Sequence, residues 1–457
     1  MAVVVEDLVG KKITVLGAGI SGEALASCAV RSGASVFVTE SKADIPEERR
    51  LGLKDMGVDF EIGGHSSKAL ECDLMLVSSG VSPTAPLLLE ARDAGIEVMG
   101  EVDFVLPKLD GKVIAVTGTN GKTTTTSLIA HLLKVSGVDA LALGNIGSPL
   151  GDFACKRRGV FVIELSSFQL HWTEKAEFDI SVVTNIAPDH IDWHRSYENY
   201  ISAKKKAISH RRDTGWSIVQ ERDRSLLGGQ GDPRTIGLTF ENDLKKDGIY
   251  IGDERATAVI EGIRHDLFKS GQVPLLGGHN IENAAMAATA CILTSCKETD
   301  WSIGLASYQA PPHRCQFIVE KNGISYVDDS KGTNVASTCT ALRSIPGGKV
   351  VILGGKGKGE SYRDLALAVK DNCRYAILLG EERFAIAEAL KEQNINDWEI
   401  VQSMEEAVIE ASGKAQRGDT VLLSPACTSW DMYGSYRERG DHFSGLAKAI
   451  EGTDVGS

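Results

Sequence analysis

The stretch Thr117-Gly118-Thr119-Asn120-Gly121-Lys122-Thr123-Thr124 lies between two unlike patterns. Before it runs Val113-Ile114-Ala115-Val116, β-branched and apolar, which reads as a buried strand. After it Leu128, Ile129, Leu132 and Leu133 recur at helical spacing until Gly137. Strand, glycine-rich turn and helix start, in that order, aim backbone N–H groups and the positive end of a helix at one point, and such a point binds phosphate. Lys122 adds a compact cation, and the Thr123 hydroxyl can reach a Mg²⁺ ion. The standard phosphate loop has a Gly five residues before its Gly-Lys pair. Val116 stands there, so this loop is shorter and anchored by Gly118. An ordinary strand-to-helix turn has no use for the Lys and the paired Thr. Residues Gly118 to Thr124 read as an ATP site.

Size and composition limit what surrounds that site. At 457 residues the chain exceeds one core, and two to four domains are expected. An apolar share of 42% with 24% charged residues is ordinary for a globular protein. The formal charge of −13, from 49 basic and 62 acidic side chains, argues against nucleic acid as a partner. Nine scattered cysteines form no Cys-x-x-Cys pair and read as reduced thiols of a cytoplasmic protein. Glu6 and Asp7 interrupt the first apolar run, so it is no secretory signal as it stands, and no run reaches membrane-spanning length.

Upstream of the ATP loop, residues 11–16 read as a strand followed by Gly17-Ala18-Gly19-Ile20-Ser21-Gly22 and a helix to Gly33. A second strand, Ser35 to Thr39, ends at Glu40, where dinucleotide-binding folds grip a ribose. Alone, this would suggest a nicotinamide-dependent oxidoreductase. The glycines, however, report close approach of a diphosphate and not which nucleotide carries it. A strand from Leu74 to Val77 ends in a polar loop beginning at Ser78. Residues 1–99 therefore read as one Rossmann-like domain with a diphosphate crevice.

Residues 100–310 read as the central, P-loop ATPase-like domain. Val160 to Glu164 is a buried-type strand ending on a carboxylate, well placed to hold Mg²⁺ beside a phosphate loop. Ile180 to Val183 leads to Asp189, His190 and Asp192, which offer metal and phosphate contacts. A helix begins at Ser196 and carries Tyr200 and Lys204-Lys205-Lys206, of which the last two read as a solvated face. Residues 214–275 hold short strands and turns with no motif that suggests chemistry. Asn280 and Asn283 share a helix face and could hold an adenine or ribose. Pro311-Pro312 opens a third, again Rossmann-like domain over 311–457, with a hairpin around Asn322-Gly323. Its strands end in Asp328-Asp329-Ser330-Lys331-Gly332-Thr333-Asn334, in the glycine run after Leu353, and in Ser424 to Tyr433. The fold class is α/β in three domains.

Together these motifs resemble the Mur ligase family across nearly the whole chain. Gly118-Thr119-Asn120-Gly121-Lys122-Thr123-Thr124, Glu164, His190 and Asn283 match what those ligases share with folylpolyglutamate synthetase. The stretches Glu164–Leu170, Asp329–Asn334 and Ser424–Ser429 favour the D-glutamate-adding member over its sibling amide ligases. The resemblance implies an ATP-dependent ligase joining D-glutamate to UDP-N-acetylmuramoyl-L-alanine through an acyl phosphate, a monomer with small-molecule substrates only. It implies that Lys122, His190 and Lys204 serve catalysis. Thr123 and Glu164 would hold one Mg²⁺, and His190 with a carbamylated Lys204 a second. Asn280, Asn283, Arg314 and Asp329 would grip the nucleotide. Ile20, Ser21, Glu40, Ser41, Lys42, Ser78 and Asn145 would meet the UDP-substrate, and Lys331, Thr333, Lys358, Ser429 and Tyr436 would orient D-glutamate. The chain departs from the family pattern at Trp193, Gly357, Tyr436 and Gln220-Glu221-Arg222-Asp223. The alternatives are a sibling Mur ligase or folylpolyglutamate-type amide ligase, a nicotinamide-dependent oxidoreductase, and a nucleotide-binding scaffold without enzymatic activity.

Overall fold

A computed structural model describes residues 8–146, 148–154, 158–241, 244–275, 277–294 and 301–450. Glu6, Asp7, Gly147, Cys155 and Cys296 lie outside these residues. The seven described cysteines are all free. Among the described residues no helix is long and apolar enough to cross a membrane. The chain forms two compact units: 1–186 with 198–272 and 284–305, and 187–197 with 273–283 and 306–457.

The first unit holds two sheets. Strands β1 (Lys12–Leu16), β2 (Ser35–Glu40), β3 (Asp59–Ile62), β4 (Leu74–Val77) and β5 (Glu97–Gly100) pair in the order β3-β2-β1-β4-β5. All four pairings are parallel. The order reverses between β1 and β4, which opens a crevice at their carboxyl ends. Gly17, at φ +103°, begins the turn after β1, and a Cβ there would lie 2.2 Å from Ser78 Oγ. Gly22 lets the helix Ile20–Arg31 pack on that turn, since its Cβ would fall 1.9 Å from Gly17 O.

The second sheet has nine strands: β6 (Asp110–Thr117), β7 (Ala140–Gly144), β8 (Arg158–Glu164), β9 (Phe178–Val183), β10 (Arg211–Gln220), β11 (Thr235–Thr239), β12 (Gly248–Ile251), β13 (Arg255–Ile260) and β14 (Ile263–Lys269). Its order is β14-β13-β12-β11-β10-β9-β6-β8-β7, parallel throughout except for the antiparallel β12–β13 and β13–β14 pairs. One buried cluster runs from Ile13, Val15 and Leu25 through Val105 to Phe161, Ile163 and Val183, so both sheets share a core. Polar ties reinforce it: Asp103 accepts hydrogen bonds from the amides of Glu174, Lys175 and Ala176. Glu101, buried beside them, receives Gln169 Nε2 at 3.1 Å, and burial pushes its carboxyl up to about 7.

The second unit is built on β15 (Gln316–Lys321), β16 (Ile324–Asp328), β17 (Lys349–Gly354), β18 (Tyr375–Leu379), β19 (Trp398–Ile400) and β20 (Thr420–Leu423), in the order β15-β16-β20-β17-β18-β19. The β15–β16 hairpin turns at Asn322 and Gly323, both at positive φ (55° and 74°), the geometry that Asn-Gly adopts at low cost. Its core runs through Leu353, Leu365, Leu378 and Leu422 on one face and Ile352, Ile377, Leu423 and Phe443 on the other. In all three sheets the loops singled out from the sequence stand at carboxyl ends of strands.

Candidate active site

In the first unit, β6 delivers Thr117 and the chain turns at Gly118, whose φ is +140°. A Cβ at Gly118 would sit 2.0 Å from Thr184 Oγ1, so no other residue fits. Gly121, at φ +79°, then starts the helix Lys122–Val135. The loop after β9 pins this turn: Asn185 O accepts the Thr119 amide and Asn185 Oδ1 the Asn120 amide, both at 2.9 Å. Asn185 Nδ2 donates in return to Asn120 O at 3.1 Å. With those bonds fixing Thr119 and Asn120, the opening amides of the helix present the oxyanion donors. Lys122 Nζ lies across its own loop, 2.9 Å from Gly118 O and 2.6 Å from Thr119 O.

Glu164 ends β8 opposite Val116 of β6, one strand from the loop. It is 4% exposed, and among the described residues its Oε2 has no hydrogen-bond partner. A buried anionic oxygen without a donor is costly, and the oxygen is a hard ligand of the kind Mg²⁺ takes. Among the described residues no cluster of three His, Cys, Asp or Glu side chains could hold a metal. Asn145 is exposed after β7, its amide 3.2 Å from Glu164 O.

Lys204 sits on the helix Tyr197–Ser209 and is 1% exposed. Its Nζ donates to Thr117 Oγ1 at 2.8 Å and to Gly118 O at 2.9 Å. Tyr200, one turn earlier, places its hydroxyl 2.8 Å from Thr119 Oγ1. Both side chains therefore reach the loop directly. Lys206 differs from the sequence expectation of a solvated face: its Nζ is held by Glu174 at 2.6 Å and by His171 O at 2.8 Å. The Gln220–Asp223 turn, for which the sequence suggested no chemistry, supports the site from behind. Gln220 Nε2 donates to Thr184 O at 3.2 Å, and Asp223 accepts the Ile186 amide at 3.1 Å.

Also in the first unit, a cavity of about 710 Å³ lies at the ends of β1, β2 and β4. Ile20, Ser21, Glu40, Ser41, Lys42 and Ser78 all line it, and so does His65, which the sequence did not single out. Glu40 is partly engaged by the protein: Oε2 accepts the Ala18 amide at 2.9 Å and Oε1 the Lys42 amide at 3.0 Å. Burial would raise its carboxyl, but these hydrogen bonds outweigh burial and hold it below the usual range. Around Gly19 there is open space where a Cβ would stand.

In the second unit, residues Ile191–His194 form a short helix. His190 precedes it at φ +53°. Asp189 is buried and taken up by protein groups, with Lys358 Nζ and Asn334 Nδ2 each at 3.3 Å. Glu360 accepts the Val335 amide beside them, and its carboxyl is pushed up to about 7, first by burial and then by Asp189. Asn280 and Asn283 meet on the helix Gly278–Leu293 at 3.1 Å. Asp329 receives Ser424 Oγ at 2.7 Å and the Cys315 amide at 3.2 Å, and burial raises it to about 6. Arg314 lies near enough to His279 to help hold that imidazole low, after burial. Lys331 Nζ stands 3.9 Å over the Tyr436 ring, while Ser429 is buried and Thr333 half-buried.

Arg439 is the residue that sequence reading missed most completely. It is 3% exposed and reaches Ser330 Oγ (3.0 Å), Ser330 O (2.9 Å), Cys427 O (3.1 Å) and Thr428 O (3.2 Å). One guanidinium thus fastens the loop after β16 to the loop after β20. Burial lowers it to about 10.

The chain is similar to known proteins over nearly its whole length. The sequence matches the MurD N-terminal domain over residues 12–87, the Mur ligase middle domain over 116–291, and the glutamate ligase domain of Mur ligases over 313–427. A UDP-N-acetylmuramoylalanine–D-glutamate ligase of Pelotomaculum thermopropionicum is 36% identical over 454 residues, covering 98% of this chain and 99% of that protein. One so named from Thermobifida fusca is 34% identical over 471 residues, covering 98% and 100%. Among solved structures, UDP-N-acetylmuramate-alanine ligase MurC of Thermotoga maritima superposes with a TM-score of 0.59 at 18% identity, over 96% of this chain and 100% of that one. MurF ligase of the same organism, in complex with ADP, gives 0.57 at 18% identity, over 97% and 96%. The fold is that of the three-domain Mur ligases, and with full-length relatives at this identity the chain belongs to the Mur ligase family.

Proposed function

We propose that the chain is an ATP-dependent ligase that adds D-glutamate to UDP-N-acetylmuramoyl-L-alanine in the synthesis of peptidoglycan precursors. The observation that carries the reading is one phosphate loop with a buried carboxylate a strand away, whose Oε2 has no partner among the described residues, and a buried lysine on the loop's carbonyl. The relatives' activity supplies the substrates.

The terminal carboxylate of the UDP-substrate attacks the γ-phosphate of ATP, giving an acyl phosphate and ADP. The amine of D-glutamate then attacks the acyl carbon and phosphate leaves. Two anions approach each other in the first step, so neutralising charge is the main task. Lys122 and the amides from Gly121 to Thr124 bind the phosphates. Thr123 and Glu164 would hold Mg²⁺, which when bound neutralises triphosphate oxygens. His190 keeps a ligand role in this proposal, as does a carbamate on Lys204. A neutral amine that reacts with CO₂ releases a proton and retains one N–H, enough to keep a hydrogen bond to Thr117 or Gly118, and gains two oxygens that share one negative charge. Asn280, Asn283, Arg314 and Asp329 are assigned to the nucleotide, and Lys331, Thr333, Lys358, Ser429 and Tyr436 to D-glutamate. The 710 Å³ cavity takes the uridine diphosphate, with Asn145 toward the sugar-peptide end. Domain limits near residues 99 and 310, a cytoplasmic location and a monomeric state belong to the same proposal.

A panel of amino acids tests it. With UDP-N-acetylmuramoyl-L-alanine, ATP and Mg²⁺, phosphate release should require D-glutamate and not L-glutamate, L-alanine or diaminopimelate. Release with a different amino acid, or with none, overturns the reading.

A further inference from the structure

His65 stands on the wall of the uridine-diphosphate cavity, and the protons around it can be assigned. The turn that carries it is bonded to the end of β2, since the Gly63 amide donates to Lys42 O at 2.8 Å and the Gly64 amide to Glu40 O at 3.3 Å. Thr39, fully buried, has its Oγ1 2.8 Å from Glu61 Oε1 and 2.7 Å from His65 Nδ1. Glu61 Oε1 also accepts the Ser66 amide at 3.0 Å. Burial would raise the Glu61 carboxyl, but hydrogen bonds from Ser66 and Thr39 more than offset it and hold it below the usual range. A carboxylate can only accept, so the single Thr39 proton goes to Glu61. Thr39 Oγ1 must then accept from His65, which puts the imidazole proton on Nδ1. In the neutral ring Nε2 is left as a lone pair on the edge away from Thr39. Among the described residues it makes no hydrogen bond.

In this sheet order a diphosphate lies on the glycine turn after β1 and the nucleoside extends past the end of β2. Glu40 marks the ribose level there, and His65, which follows the next strand outward, lines the same cavity beyond it. We propose that His65 is a specificity residue of this cavity, whose Nε2 accepts the imide N–H of a uracil base. Cytosine carries no hydrogen at that ring nitrogen and meets two opposed lone pairs, so the site refuses it. Thr39 acts as a positioning residue that fixes the tautomer. The inference rests on the uridine-diphosphate reading of the cavity.

Calorimetric titration of the full chain with UDP and with CDP tests it. His65→Ala should weaken UDP about fivefold, the worth of one neutral hydrogen bond, and should not weaken CDP, which is relieved of a repulsion. Thr39→Val, which keeps the volume and frees the tautomer, should weaken UDP by a smaller factor, again without loss for CDP. It decides the matter if His65→Ala fails to fold. Unchanged UDP affinity in both variants, or equal losses for UDP and CDP, overturns the inference alone. A wild-type chain that binds no UDP overturns the assignment of the cavity instead.

Discussion

Replacing Glu164 by Gln should make the ligand-free protein more stable and the enzyme nearly inactive. The reason is the carboxylate itself: 4% exposed, at the end of a buried strand, with no donor to Oε2 among the described residues. Leaving a buried polar group unsatisfied costs about 1–3 kcal/mol, and more when it is charged. Gln keeps the shape and a polar group but removes the charge, so only the excess cost of the charge is relieved, a gain of about 1–2 kcal/mol. At about 2 °C per kcal/mol for large chains, the melting midpoint should rise by a few degrees. The order should invert with Mg²⁺ and nucleotide present. At a hundredfold excess over Kd, ligand adds about 2.7 kcal/mol to the wild type, whereas the variant, lacking the anionic ligand, should gain much less. Turnover should fall by about 10²–10³, as when one transition-state donor is lost. Thermal melts with and without Mg²⁺ and ADP, together with phosphate release, give every quantity. A ligand-free Glu164→Gln that melts lower than wild type would show that the protein holds this carboxylate, and the metal assignment would fall.

Lys204→Ala should lose nearly all turnover, and acetate or a similar small carboxylic acid should restore part of it by occupying the space of the carbamate; full activity without rescue contradicts the proposed modification. Arg439→Lys keeps one charge but cannot reach four oxygens, so it should cost about 3 kcal/mol of stability and raise the KM for D-glutamate more than that for ATP. Steady-state kinetics with each substrate varied would show the opposite ranking if Arg439 only supports the fold. Glu101 holds its proton to about pH 7 in the folded state against 4.5 for the free group, so the folded protein binds more protons between those values and loses stability as pH rises through them. Above pH 7 the penalty is about 3 kcal/mol. Glu101→Gln should therefore stabilise the protein at pH 8 and change little at pH 4.5, and equal gains at both pH values would refute the burial argument.

What the sequence made legible was whatever is written locally. The glycine turns at Gly17 and Gly118, the Asn322-Gly323 hairpin and the carboxylate ending β8 each follow from neighbours in the chain. Sites at the ends of parallel strands were legible for the same reason. Groups acting across long separations left no local mark. Arg439 sits on an ordinary amphipathic helix, yet its guanidinium binds a loop more than a hundred residues earlier. Gln220 and Asp223 look like turn residues, but their partners are backbone groups after β9. His65 gains its meaning only through Thr39 and Glu61. Lys206 belongs to the same class, since Glu174 lies on another segment.

The carboxylate of the UDP-substrate is the atom group on which the account turns. If it attacks ATP, one of its oxygens leaves with the phosphate. UDP-N-acetylmuramoyl-L-alanine labelled with ¹⁸O in its terminal carboxylate, incubated with ATP, Mg²⁺ and D-glutamate, should yield inorganic phosphate carrying one ¹⁸O per amide formed. Unlabelled phosphate released along with the amide would contradict the acyl-phosphate route, and labelled substrate recovered beside free ADP, with no amide, would contradict the ligase itself.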